Sequence, residues 1–176
     1  LYRDGVLIKE IAYPSDATMS GGKTDAIAFS SDQRLMFVAG SGQIHIFDTA
    51  TLKFTRSLDL GRANLCSLAV AGRWLYVAES SAAPQDRARL LRVAIDSAQS
   101  DFLRVQQIDL PADLSGAGTP YGYQDLAVTF GVHTYLAVTA SQQSLGVSMR
   151  RSPPDGGKVF LIDLDQCTVV GGRLTA

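Results

Sequence analysis

The residues best placed to do chemistry are three carboxylates far apart in the chain: Asp25, Glu79 and Asp125. Calcium is bound by oxygen ligands, so two or three convergent carboxylates could hold Ca²⁺. Hydrogen bonding of Asp25 and Asp125 to nearby backbone is the competing role. Cationic side chains stand at Arg87, Arg150 and Arg151, the last two within "MRRSPPDGG". That stretch could bind an anion or an acidic partner, with a solvated loop tip as the competing reading. Tyr121 and Tyr123, in "GTPYGYQD", suit a pocket wall or an aromatic contact. Catalytic resources are otherwise poor. His45 and His133 stand alone, and there is no Gly-x-Ser-x-Gly elbow, histidine pair at metal spacing or phosphate loop.

Whether those acids meet depends on the elements that carry them. The stretch Gln43–Lys53, "QIHIFDTATLK", is an apolar run closed by Asp48 and a turn. It recurs as "RLLRVAIDS" containing Asp96 and "KVFLIDLDQ" containing Asp163. Upstream of each Asp lies another run: "RLMFVA", "WLYVA" and "YLAVT". Before that come "AIAF", "SLAV" and "DLAV", which share Ala28, Ala69 and Ala127 in one slot. A fourth run follows each Asp. Four short runs with a period of roughly 40–50 residues point to the blades of a β-propeller. The runs are rich in β-branched and aromatic residues and bounded by Gly, Ser, Asp and Pro, as strands are.

The fold class expected is therefore all-β: β-propeller blades of four antiparallel strands in an incomplete ring. Residues 1–176 form one partial propeller, with blades at 25–60, 66–110 and 124–174. Val6–Tyr13, within 1–13, reads as the outer strand of a preceding blade. Ala28, Ala69 and Ala127 belong at the crowded centre of the innermost strands and should be buried. Asp48 should head an Asx-type turn, its side chain accepting from backbone N–H groups.

Composition agrees with one domain. The chain has 176 residues and a formal charge of −1, with acids and bases interspersed. Nothing suggests a nucleic-acid surface. No apolar run approaches the ~20 residues of a membrane helix, so membrane insertion is not expected. Cys66 and Cys167 fall toward opposite ends of their blades, too far apart for a disulfide, and read as two thiols. The chain begins at Leu1 in mid-pattern and reads as a piece of a longer protein.

The stretch "FSSDQRLMFVAGSGQIHIFDTATLK" resembles the YVTN-type bacterial β-propeller repeat. Ser31-Asp32-Gln33 stands at the turn, Leu35–Ala39 at the second strand, and Ile44–Thr51 at the third strand with its Asp-Thr turn. The match is looser in the second and third repeats. Such repeats occur in bacterial surface and periplasmic proteins, in lactonases and in dehydrogenases. The resemblance implies a periplasmic, cell-surface or secreted scaffold and leaves function to the site.

In the up-and-down order, the loops 61–65, 80–88, 111–123 and 141–157 share one end of the blades, and the turns opposite are short. Long loops on a rigid scaffold tend to carry function. The binding face expected there comprises Asp25, Glu79, Arg87, Tyr121, Tyr123, Asp125, Arg150 and Arg151. Its favoured role is non-catalytic contact with a protein or glycan partner. The alternative is a fragment of a lactonase-like hydrolase, with Asp25, Glu79 and Asp125 holding a metal that polarises the lactone carbonyl. No other cofactor is implied. Three blades cannot close a ring, because propellers use about 4–8. Both flanks should expose apolar surface, to be covered by remaining blades of the parent chain or by a second copy.

Overall fold

The computed structural model describes residues 2–3, 6–7, 26–40, 42–61, 65–79, 89–108, 121–142, 158–166 and 168–171. At 2–3, 6–7, 66, 121–124, 140–142, 158 and 168–171 it describes backbone alone. No helix occurs among these residues. A short hairpin comes first: β1 (Tyr2–Arg3) pairs with β2 (Val6–Leu7). Three four-stranded antiparallel sheets follow, and in each the spatial order is the chain order.

The first sheet is β3 (Ile27–Phe29), β4 (Leu35–Ala39), β5 (Gln43–Asp48) and β6 (Lys53–Asp59). The second is β7 (Leu65–Ala71), β8 (Trp74–Glu79), β9 (Arg89–Ala94) and β10 (Val105–Ile108). The third is β11 (Tyr121–Thr129), β12 (Tyr135–Gln142), β13 (Lys158–Asp163) and β14 (Thr168–Gly171). Each anticipated blade is thus one meander, and the arrangement is compatible with blades of an open ring. Of the anticipated outer strand Val6–Tyr13, the described part, Val6–Leu7, pairs with β1; residues 8–13 lie outside the described residues.

The sheets stack in series. One apolar layer lies between the first and second, built from Phe37, Ile44 and Ile46 on one side and Leu68, Val77 and Leu91 on the other. Another lies between the second and third, where Ala69, Tyr76 and Leu90 meet Leu126, Val138 and Phe160. Alternate residues of a strand point to opposite faces. The second sheet is covered on both faces, which is why β8 is apolar at every position but Glu79 and β9 carries apolar residues on both faces between Arg89 and Arg92. β6, "KFTRSLD", is polar and exposed for most of its length, as an edge strand should be.

Two expectations about burial fail in part. Ala69 is buried, but Ala28 is half-buried and Ala127 is exposed. Ala127 lies on the side of β11 away from the second sheet, whereas Ala28 faces the second sheet and packs as a partly buried neighbour of the layer between the first and second sheets. The outward flank of the first sheet is open only in places. Ile27, Phe29 and Phe54 are exposed there, whereas Met36, Val38 and Phe47 form a small buried cluster.

Turn chemistry follows the sequence closely. Asp48 Oδ1 accepts from the backbone N–H and the hydroxyl of Thr51, each at 2.7 Å. Asp96 Oδ1 accepts from Ala98 N–H at 3.0 Å, and Asp163 Oδ1 from Asp165 and Gln166 N–H at 2.9 and 3.1 Å. Gly72 takes φ +55° in the two-residue link between β7 and β8, where a positive φ is needed.

Candidate functional site

Two cross-sheet hydrogen bonds fix which strand ends lie together. Arg89, opening β9, donates through Nη2 to the Leu60 carbonyl, just past β6, at 2.9 Å. The end of the first sheet and the Glu79–Arg89 end of the second therefore meet at the long-loop end, as the chain order requires. At the other end, Ser31 Oγ donates to the Gly72 carbonyl at 2.9 Å, joining the short turns of the two sheets.

At the long-loop end the described acids are already engaged. Glu79 and Arg89 are directly opposed in the β8–β9 register. Glu79 is fully buried, with Oε1 accepting from Arg89 Nη2 at 3.0 Å and Oε2 from Arg89 Nε. A buried carboxylate held by two guanidinium bonds is a structural ion pair, whose charge is spent on its neighbour. Asp125 Oδ1 accepts from Ser67 Oγ at 2.7 Å and from Leu126 N–H at 2.8 Å, and Ser67 Oγ also accepts from Leu126 N–H at 3.1 Å. Asp125 thus stitches the middle of β11 to β7.

Of the other expected site residues, Asp25, Arg87, Arg150 and Arg151 lie outside the described residues, and so does Cys167. Tyr121 and Tyr123 sit in β11, and Cys66 in β7, but their side chains lie outside the description. Among the described residues, no group of three or more His, Cys, Asp and Glu is placed to hold a metal. His45 is buried and shares a hydrogen bond with Ser57 Oγ at 2.8 Å. A Cβ on Gly40 would lie 2.9 Å from His45 Nε2, so the ring also occupies the tight turn before β5. His133 lies in the turn before β12, with Nδ1 3.9 Å from Asp165 Oδ2.

A cleft that sequence reasoning missed opens at the short-turn end, between the first and second sheets, with a volume near 540 Å³. Asp32, Arg34 and Asp48 line it from the first sheet, and Arg73 and Asp96 from the second, beside Leu35 and Ile95. The Ser30 hydroxyl and then the Arg34 N–H, both donating to Asp32, hold its carboxyl below the usual carboxylate range. The Thr51 hydroxyl and N–H do the same for Asp48, and the Arg34 charge adds to both. Arg73 is spoken for: it donates to Asp101 Oδ2 at 2.6 Å and lies over the Trp74 ring at 4.7 Å. Every cleft carboxylate has one oxygen tied into its own turn. The sequence signal for this cleft is the matched placement of Asp48 and Asp96, which by itself points only to turn chemistry.

Compared with protein-family models and with curated proteins, the chain matches none.

Proposed function

We propose that this chain is a non-catalytic binding or scaffold module of a larger bacterial surface or exported protein, built on YVTN-type blades and making contact with a protein or glycan through its long-loop end. The observation that carries this reading is the engagement of the acids at that end. Glu79 is neutralised by Arg89 inside the protein, and Asp125 is bound to Ser67 and Leu126. A lactonase-like site would need Glu79, whose two oxygens Arg89 already holds, on a metal, with Asp125, whose Oδ1 is held by Ser67 and Leu126. Freeing Glu79 would leave Arg89 without its partner. The stacked sheets supply a rigid base, and the cationic Arg150 and Arg151 supply the contact.

The test has two arms. On a glycan array, the double variant Arg150→Ala/Arg151→Ala should lose retention while its stability stays within about 0.5 kcal/mol of the parent, the change expected of residues that serve contact rather than packing. With a panel of lactones and added Ca²⁺, no turnover is expected. Metal-dependent turnover that disappears in Asp125→Asn would establish the hydrolase instead.

A further inference from the structure

The two filled interfaces show what a sheet face of this protein accepts. Call the face of a sheet toward the next one its front, and the opposite face its back. Register places Ala28, Phe37 and Ile46 in one row on the front of the first sheet. The matching rows are Ala69, Tyr76 and Arg92 in the second and Ala127, Ala137 and Leu161 in the third. On the backs, Ile27, Val38 and His45 match Leu68, Val77 and Leu91, and then Leu126, Val138 and Phe160. At each filled interface the innermost strand of the following sheet leads the contact: β7 lies against β3 and β4, and β11 against β7 and β8.

The open ends of the series carry the same rows without their cover. On the front of the third sheet Ala127 is exposed and Leu161 is 40% exposed, whereas Ile46, in the same position of the first sheet, is 2% exposed. On the back of the first sheet Ile27 is 58% exposed, and its counterparts Leu68 and Leu126 are 8% and 7%. Val38 and His45 behind it are buried. The open part of that back is therefore β3, the counterpart in the first sheet of β7 and β11, which lead the contact at the two filled interfaces. Its bulky Ile27 and Phe29 face outward, and the third sheet offers a row with two alanines, as the second sheet offers Ala69 and Ala71 to Leu126.

We propose that a second copy of this chain docks through Ile27 and Phe29 of its first sheet onto the open front of the third sheet at Ala127 and Leu161, continuing the stack head to tail. The occupant is chosen by continuity: it repeats, in the same register, the contact that the chain already makes twice within itself. The two surfaces differ, so the association is heterologous, and it either closes into a ring or extends as an open chain.

Sedimentation of the purified chain across the micromolar range is the test. The weight-average mass should rise with concentration to that of a dimer or beyond. Ile27→Asp on the back and Ala127→Arg on the front change exposed positions, and each alone should weaken association at least about tenfold, roughly 1.4 kcal/mol. Phe29→Ser and Leu161→Ser form a second pair, used if circular dichroism shows either of the first two misfolded. Mixing the front variant with the back variant should restore association but stop it at a one-to-one dimer, because one intact front meets one intact back. A parent chain that stays monomeric, single variants that associate like the parent, or a mixture that remains monomeric would each overturn the proposal.

Discussion

At the scale of single residues, the carboxylates divide by how local their partners are. Asp48, Asp96 and Asp163 close turns through N–H groups two or three residues on, and such chemistry is legible in a short window of sequence. Asp48 also makes a pH prediction. Its carboxyl lies below the ordinary range because the Thr51 hydroxyl, then the Thr51 N–H, favour the charged form. A group whose folded pKa is depressed adds stability that is present above its unfolded pKa and lost as pH falls through the folded one. Asp48→Asn should therefore melt below the parent at neutral pH, and the gap should close as pH drops below about 4. Melting temperatures of both proteins across that range decide it; a constant gap would show that the charge is not what matters. The Glu79–Arg89 pair was not legible in the same way. It depends on the β8–β9 register across a long connection, and neither residue advertises the other.

At the scale of elements, the strands could be read because period and composition agree with the burial they meet. β4, β8 and β9 carry apolar residues on both faces and are buried along most of their length, whereas β6 and β10 are more polar, more exposed edges. What sequence equivalence could not show is that identical slots have different neighbours. Ala69 and Ala127 occupy the same place in their sheets, yet one is covered and the other is not. Ala69→Leu should overpack the layer against the third sheet and cost about 1–3 kcal/mol. Ala127→Leu should change stability by no more than about 0.5 kcal/mol, as exposed positions do. Urea unfolding of the two variants measures both, and equal losses would mean that the two slots are equally crowded. The cleft at the short-turn end escaped the sequence for a related reason. Its walls come from turns of adjacent sheets, and their approach is set by stacking rather than by any local pattern.

At the scale of the whole molecule, the described sheets form a line: the first meets the second, and the second meets the third, through separate apolar layers. In the dissociated chain, at concentrations too low for copies to dock, only the middle of the three described sheets has a neighbour on each side. Units coupled only to their nearest neighbours behave as a one-dimensional array, in which each loses protection according to the number of interfaces it shares. The chain should thus come apart from its ends inward. Backbone amides of β8 and β9 should exchange with solvent most slowly, at rates close to those set by global unfolding. Those of β4 and β12 should exchange through smaller openings that leave the centre intact. Hydrogen exchange followed by mass spectrometry would show this as a gradient centred on the second sheet, and uniform protection across all three would mean that they open together. The Arg89 bond to the Leu60 carbonyl and the Ser67 bond to Asp125 then act as the couplings between neighbours, setting how far an opening at one end travels before it is halted.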